Sequence, residues 1–245
     1  MQKKSLIVAL LAGMALSGAA QAALYDRGGG LIYDNVLNIT WLQDANYAKT
    51  SLYDTDGLMN WAAAKTWAAG LTYGGYSDWR LPTMVDTGAL GCVSAASYSG
   101  TDCGYNVQTV SGGTVYSSEM AYMYYINLGL KALYNPDGTV RTDWGIFGNG
   151  TSNGTDTSSF GQNDVGLIDN LQAYGYWSDL EYALDTDYAW AFGTLGGRQG
   201  IRIKEAIDRY AWAVRPGDVA AVPEPTTLLL LGLGLAGLGA MRRRG

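Results

Sequence analysis

The sequence predicts an α+β fold: a single domain with two helices, short antiparallel strands and a long loop region. Three observations carry that expectation. Two stretches repeat apolar residues at helical spacing, several short runs alternate in side-chain size, and about thirty residues between them keep no period. A hydrophobic segment lies at each end of the chain.

Taken in order, the stretch LIYDNVLNITWLQ (residues 31–43) approximately alternates and is broken by Asp34-Asn35, so it reads as two short strands. The stretch NWAAAKTWAAGL places Trp61, Ala64, Ala68 and Leu71 on one helical face, with Asn60 as cap and Gly70 near the end. SSEMAYMYYINLGL repeats the pattern: Ser118 caps, Glu119 favours the helix start, and Met120, Met123, Tyr124 and Leu128 share a face. Both faces read as core. From Asn135 to Asp164 Gly, Ser, Thr, Asn and Asp dominate, and Asn135-Pro136-Asp137-Gly138 is a turn, proline presetting one dihedral and glycine taking the positive one. A segment of that length without regular structure points to a functional or mobile loop. The closing runs YGYWSDLEYA, DYAWAFG, GIRIKEA and YAWAVRPGD read as strands. Within them Tyr188–Phe192 and Tyr210–Val214 alternate large and small residues, as strands with one packed face do.

The ends read as addresses. Lys3 and Lys4, the apolar stretch Ser5–Leu16 and Ala20-Gln21-Ala22 form a secretory signal peptide over residues 1–22, cut to leave a domain over residues 23–221. At the other end stand Val222-Pro223-Glu224-Pro225, an apolar run over residues 226–241, and Arg242, Arg243 and Arg244. As a helix the run spans about 24 Å against a hydrocarbon core of about 30 Å, a marginal crossing. The arginines act as a cytoplasmic stop and leave the globular part outside. Such a segment is suited to being held briefly and then cut.

Composition narrows the chemistry. The chain has no histidine, which excludes Ser-His-Asp triads, His-activated cysteines and ordinary zinc centres. Without Lys3, Lys4, the three terminal arginines and Glu224, the exported part keeps 11 basic and 21 acidic side chains, a formal charge of −10. Such a surface repels nucleic acid. A general affinity for sulfated polymers would require Arg198, Arg202, Lys204 and Arg209 to gather into one patch. Cys92 and Cys103 are the two cysteines. In an exported chain they read as a local disulfide worth on the order of 3 kcal/mol, whereas a metal site would be two ligands short.

No catalytic residue is assigned. Asp179 with Glu181, and Asp185 with Asp187, share a strand face, but an acidic chain offers such pairs by chance. Asp54, Asp56 and Gly57 begin like a calcium loop that no later carboxylate closes, so they read as turn residues; no metal or other cofactor is expected, with calcium the one alternative. Arg80 reads as a turn clamp bridging carbonyls or a carboxylate such as Asp78, against the alternative of a ligand contact. With 8 Trp and 18 Tyr against 3 Phe, some rings should be exposed. Trp177, Tyr182, Tyr188 and Trp190 are therefore the ligand-binding candidates, against the alternative that Trp177, Trp190 and Trp212 build the core.

Two resemblances extend this reading. The tail, from Val222-Pro223-Glu224-Pro225 to the arginine cluster, resembles the PEP-CTERM sorting signal. That resemblance implies a Gram-negative host, an exosortase as processing partner, transient passage through the inner membrane, and delivery to the cell surface or extracellular matrix of exopolysaccharide-secreting bacteria. The block Asp78-Trp79-Arg80-Leu81-Pro82-Thr83, with YWSDLEYA, YAWAF and YAWAVRPGD, resembles the Lcl C-terminal domain family from about Leu31 to Asp218. The family is named after a collagen-like adhesin that binds glycosaminoglycans, which implies a non-enzymatic surface protein with extracellular polysaccharide as partner. Trp79–Thr83 and the final Val-Arg are also similar to parts of C-type-lectin-like and formylglycine-generating-enzyme-like domains, which implies a C-type-lectin-like core. Neither the calcium-binding sugar motif nor the cysteine equipment of those relatives is present.

Overall fold

Asp34 turns the first apolar run into a hairpin. Its Oδ1 accepts hydrogen bonds from the backbone of Val36 and Leu37 at 2.9 and 3.0 Å, and Asn38 closes the turn at φ +52°, a conformation asparagine tolerates. The strands Leu31–Asp34 and Ile39–Leu42 then pair antiparallel, with Ile32 opposite Trp41. The computed structural model describes residues 24–84, 86, 97–98, 102–107, 109–111, 114–115, 118–146, 162–206 and 208–219. The expected signal peptide, the sorting tail with its apolar helix, and Cys92 lie outside the described residues.

In chain order the strands are β1 (Leu24–Asp26), β2 (Leu31–Asp34), β3 (Ile39–Leu42), β4 (Leu58–Met59), β5 (Gly104–Tyr105), β6 (Val110–Ser111) and β7 (Thr114–Val115). There follow β8 (Gln162–Val165), β9 (Ile168–Gln172), β10 (Gly175–Glu181), β11 (Tyr188–Gly193), β12 (Arg198–Ile203), β13 (Arg209–Tyr210) and β14 (Val214–Pro216). The helices are short: α1 (Tyr47–Thr50), α2 (Trp61–Gly70) and α3 (Glu119–Tyr122), the last running into a π-helical turn at Met123–Asn127. The described fold is therefore mostly sheet with few helices. None of those helices is long and apolar enough to cross a membrane.

A four-stranded sheet has the order β1-β2-β3-β14, and a six-stranded sheet the order β4-β13-β10-β11-β12-β5. In the larger sheet β13 runs parallel to β10, and the other neighbours are antiparallel. The chain passes from one sheet to the other between Tyr210 and Val214. Trp212 lies at that crossing, fully buried, its indole N–H donating to Leu42 O at 2.7 Å and its ring tilted against Trp41 at 4.6 Å. Trp41, Trp177, Tyr176 and Phe192 belong to the same core. Burial of a side chain this large contributes roughly 2–3 kcal/mol, so the crossing is a principal point of cohesion between the sheets.

Several sequence expectations change here. Asn60 does cap α2, its Oδ1 accepting from Ala63 N at 2.9 Å, but the buried face holds Ala64, Trp67 and Ala68 while Trp61 and Leu71 are half-buried. The second helix is one α-turn followed by a π-turn, and Ser118 does not cap it: its Oγ donates to Gln199 Oε1 of β12. Tertiary pairing thus outcompetes the local cap. The segment from Asn135 to Asp164 is not wholly irregular. Asn135-Pro136-Asp137-Gly138 forms the expected turn, Gly138 donating to Asn135 O at 2.9 Å, Tyr134 pairs across to Val140, and β8 begins at Gln162. Residues 147–161 lie outside the described residues.

One carboxylate works against the fold. Burial, then Asp164, Asp44 and Asp26, push the Asp169 carboxyl above its ordinary pKa. A group that holds its proton more tightly when folded loses that contribution as pH rises through its folded pKa. Asp169→Asn is therefore expected to stabilise the protein at pH 7, on the order of 0.5 kcal/mol, and to make no difference below about pH 2.5, where the carboxyl is protonated in both states. Urea unfolding at the two pH values checks this; an equal gain at both would remove charge as the cause.

Candidate functional site

The alternation in the closing strands builds a hollow. In β11 the large residues Trp190 and Phe192 share one face of the strand and Ala189, Ala191 and Gly193 the other, and Ala189 and Ala191 are buried like the two rings. Register sets Ala189 opposite Arg202, Ala191 opposite Gly200, and Gly193 opposite both Arg198 and Gly175. At one end of this face, beyond Trp177 opposite Ala191, small residues therefore gather at Gly175, Ala191, Gly193 and Gly200, with Arg198 and Arg202 on the same face of β12. Arg209 of β13 lies across Gly175, where an added Cβ would meet its Cδ at 2.3 Å. On the far side Tyr105 of β5 pairs with Arg198.

The result is a cavity of about 280 Å³ lined by Gly175, Ala191, Gly193, Arg198, Arg202, Arg209 and Tyr105 together with Tyr174, Trp144, Leu133 and Phe192. The wall carrying Leu133 and Trp144 is tied to the β11–β12 hairpin, since Leu133 N donates to Gly196 O at 2.9 Å. Gly197 in that hairpin stands at φ +69°, and a Cβ there would meet Tyr125 Oη at 2.7 Å; Tyr125 Oη itself donates to Gly197 O. Only glycine meets both demands.

The electrostatics of the cavity are unusual for so acidic a domain. Among the described residues no carboxylate forms an ion pair with Arg198, Arg202 or Arg209. Arg198 Nε is buried without a hydrogen-bond partner. Arg202 donates to the adjacent Ile201 O at 2.7 Å, and Arg209 donates to Tyr174 Oη at 2.6 Å while its guanidinium lies 4.5 Å from the Tyr174 ring centre. Burial, then Arg209 and Arg198, hold the Arg202 guanidinium below its ordinary pKa, and burial does the same to Arg209. Three cations are thus kept close together without an ion pair among the described residues, Asp208 beside Arg209 being the nearest offsetting charge. Lys204 does not join the patch: it pairs with Glu181 and lies 4.5 Å from the Trp61 ring centre.

The aromatic candidates from the sequence fall elsewhere. Trp177, Trp190 and Tyr182 are buried, at 0, 1 and 3% exposure, and Tyr188 is half-buried. Trp177 donates its indole N–H to Met59 O at 2.8 Å, and Trp190 donates to Asp86 Oδ2 at 3.0 Å. Trp190 and Tyr182 pack edge to face in a small cluster with Met84, Cys103 and Ile201. These three rings build core and offer no face to a ligand. The aromatic residues that do line the cavity are Tyr105, Tyr174, Trp144 and Phe192.

The other candidates are dispersed. Asp179 pairs with Lys65 at 2.8 Å, Glu181 with Lys204, and Asp185 Oδ1 accepts from Asp187 N. Asp54 Oδ1 accepts from Asp56 N and Gly57 N, as a turn residue does. No group of three or more acidic or sulfur side chains among the described residues could hold a metal ion. Two wider grooves, of about 600 and 550 Å³, flank Tyr53, but each is open and mixed in polarity rather than a concentration of one charge.

The family model of the Lcl C-terminal domain matches residues 30–215, and that of the PEP-CTERM protein-sorting motif matches residues 221–244. The chain belongs to the Lcl C-terminal domain family. The sorting motif marks it as an exported protein processed by an exosortase, with a C-terminal membrane-anchoring sorting signal. No curated protein and no solved structure matches it.

Within this Lcl C-terminal domain the block from Asp78 to Thr83 is a clasp. Asp78 accepts from Arg215 Nε and Nη2 at 2.8 and 3.0 Å, and Arg215 lies 4.0 Å from the Tyr76 ring centre. Trp79 and Leu81 are core, and Pro82 O accepts from Asp179 N. Arg80 exchanges both backbone hydrogen bonds with Val214, and its guanidinium grips Glu119 with two bonds of 2.7 Å. Thr83 N donates to the same carboxylate at 2.8 Å. The partner of Arg80 is therefore Glu119 rather than Asp78. Nothing local in the sequence pairs residues 39 positions apart.

Proposed function

We propose that this protein is a non-enzymatic component of the cell surface or extracellular matrix that binds polysaccharide through the arginine- and aromatic-lined cavity. The carrying observation is the gathering of Arg198, Arg202 and Arg209 beside Tyr174, Tyr105 and Trp144 in a domain otherwise dominated by acidic residues. Guanidinium groups and Tyr/Trp faces suit sugar hydroxyls, acidic substituents and pyranose rings. A cleaved signal peptide, transit through the inner membrane and a lectin-like core belong to the same proposal, the last supported by the return of β14 to pair with β3 near the start of the domain. So does a Cys92–Cys103 disulfide, which would anchor β5 and with it Tyr105. The mature exported protein, applied to a glycan array, is expected to be retained by a subset of polysaccharides; retention by none would overturn the reading.

A second reading is a structural matrix protein with protein partners. Leu52 and Tyr53 favour it, exposed at 88 and 57% on one turn, with Leu52 at φ +61°. Pull-downs from matrix that recover proteins and no glycan would decide for it.

A further inference from the structure

We infer that the cavity takes a single carboxylate-bearing sugar residue, its carboxylate held by Arg198 and Arg202 and its ring against Tyr174. The inference rests on the polysaccharide reading and names the substrate class of that site. Three observations support it. Arg198 has a buried Nε–H with no acceptor among the described residues, a cost that an acceptor on a ligand would remove. An Arg Nε/Nη edge presents two parallel N–H groups that match two coplanar carboxylate oxygens. Drug-sized ligands occupy roughly 300 Å³ or more, so a hollow of about 280 Å³ suits one glycosyl unit.

The charge balance decides between kinds of acidic polymer. The exported part carries −10 overall, and the three arginines form one local exception. A densely sulfated chain would meet repulsion from the surrounding surface along most of its length. A chain with about one carboxylate per residue places one charge in the cavity and little elsewhere. The arginines also repel each other, an arrangement that a bound anion would relieve and that is typical of binding sites.

Calorimetric titration of the mature protein with tetragalacturonate, with the same tetrasaccharide after reduction of its carboxyls to alcohols, and with a sulfated neutral tetrasaccharide tests this. Binding is expected for tetragalacturonate alone. Arg198→Gln and Arg202→Gln are each expected to weaken it at least about tenfold, while Arg202→Gln melts at or above the wild-type temperature because a crowded charge is removed. Gly175→Ala keeps every charge but displaces Arg209, and a severalfold loss is expected from crowding alone. Equal binding of the reduced probe, stronger binding of the sulfated one, or unchanged affinity in both arginine variants would overturn the inference. Retention of other glycans on the array without tetragalacturonate binding would also overturn it, leaving the polysaccharide reading intact. No retention of any glycan would sink both. The comparison of probes on the unaltered protein does not depend on any variant folding.

Discussion

Replacing Glu119 by alanine is expected to destabilise the exported domain by about 3 kcal/mol, the range for removing one member of a buried ion pair. Glu119 is buried, and its carboxylate receives both Nη groups of Arg80 and the backbone N–H of Thr83. The substitution leaves the Arg80 guanidinium, about two-thirds covered, without its anion, and leaves Thr83 N without an acceptor. It also unclasps α3 from the segment that pairs with β14. Arg80→Lys should cost less, because an ammonium keeps the charge and loses the fork. Denaturant unfolding measures both. A Glu119→Ala midpoint indistinguishable from wild type would show that the clasp does not hold the sheets together.

The second large effect concerns the address rather than the fold. Replacing Pro223, Glu224 and Pro225 together by alanine is expected to abolish processing and leave the full-length chain in the membrane fraction, held by residues 226–241 with Arg242, Arg243 and Arg244 inside. The physical reason is that proline lacks a backbone N–H and disfavours a helix interior whereas alanine is the strongest helix former, so the replacement removes both the motif's side chains and its resistance to helix formation. Immunoblots of membrane and culture-medium fractions would show this as near-complete retention. Release at the wild-type level would place the recognition elements elsewhere in the tail. Because the domain of residues 30–215 is separate from the motif at 221–244, its thermal unfolding should be unaffected.

The candidate site was legible in its parts and not in its assembly. Arg198, Arg202 and Arg209 stand out in an acidic chain, and the condition that they gather is met without Lys204. What hid the cavity was the size alternation itself. In YAWAFG the eye goes to Trp190 and Tyr188, whereas the small residues Ala191 and Gly193 line the hollow. A signal was present in RQGIRI, where Arg198 and Arg202, four positions apart with Gly200 midway between them, must share one strand face. Tyr105 and Trp144 come from distant, aperiodic segments and carried none.

By itself the sequence determined what short-range physics can decide. The hairpin at Asp34, the Asn60 cap, the turn at Asn135–Gly138, the size alternation of β11 and the sorting motif each depend on residues within a few positions of one another. Tertiary structure decided which face of each strand was buried, that Arg80 would find Glu119, that α3 would give way to a π-turn, and that three like charges would share one hollow. Those outcomes depend on strands far apart in the chain coming into register. The free energy of burying Trp41, Trp177 and Trp212 between two sheets outweighs local preference, and no window of neighbouring residues contains it.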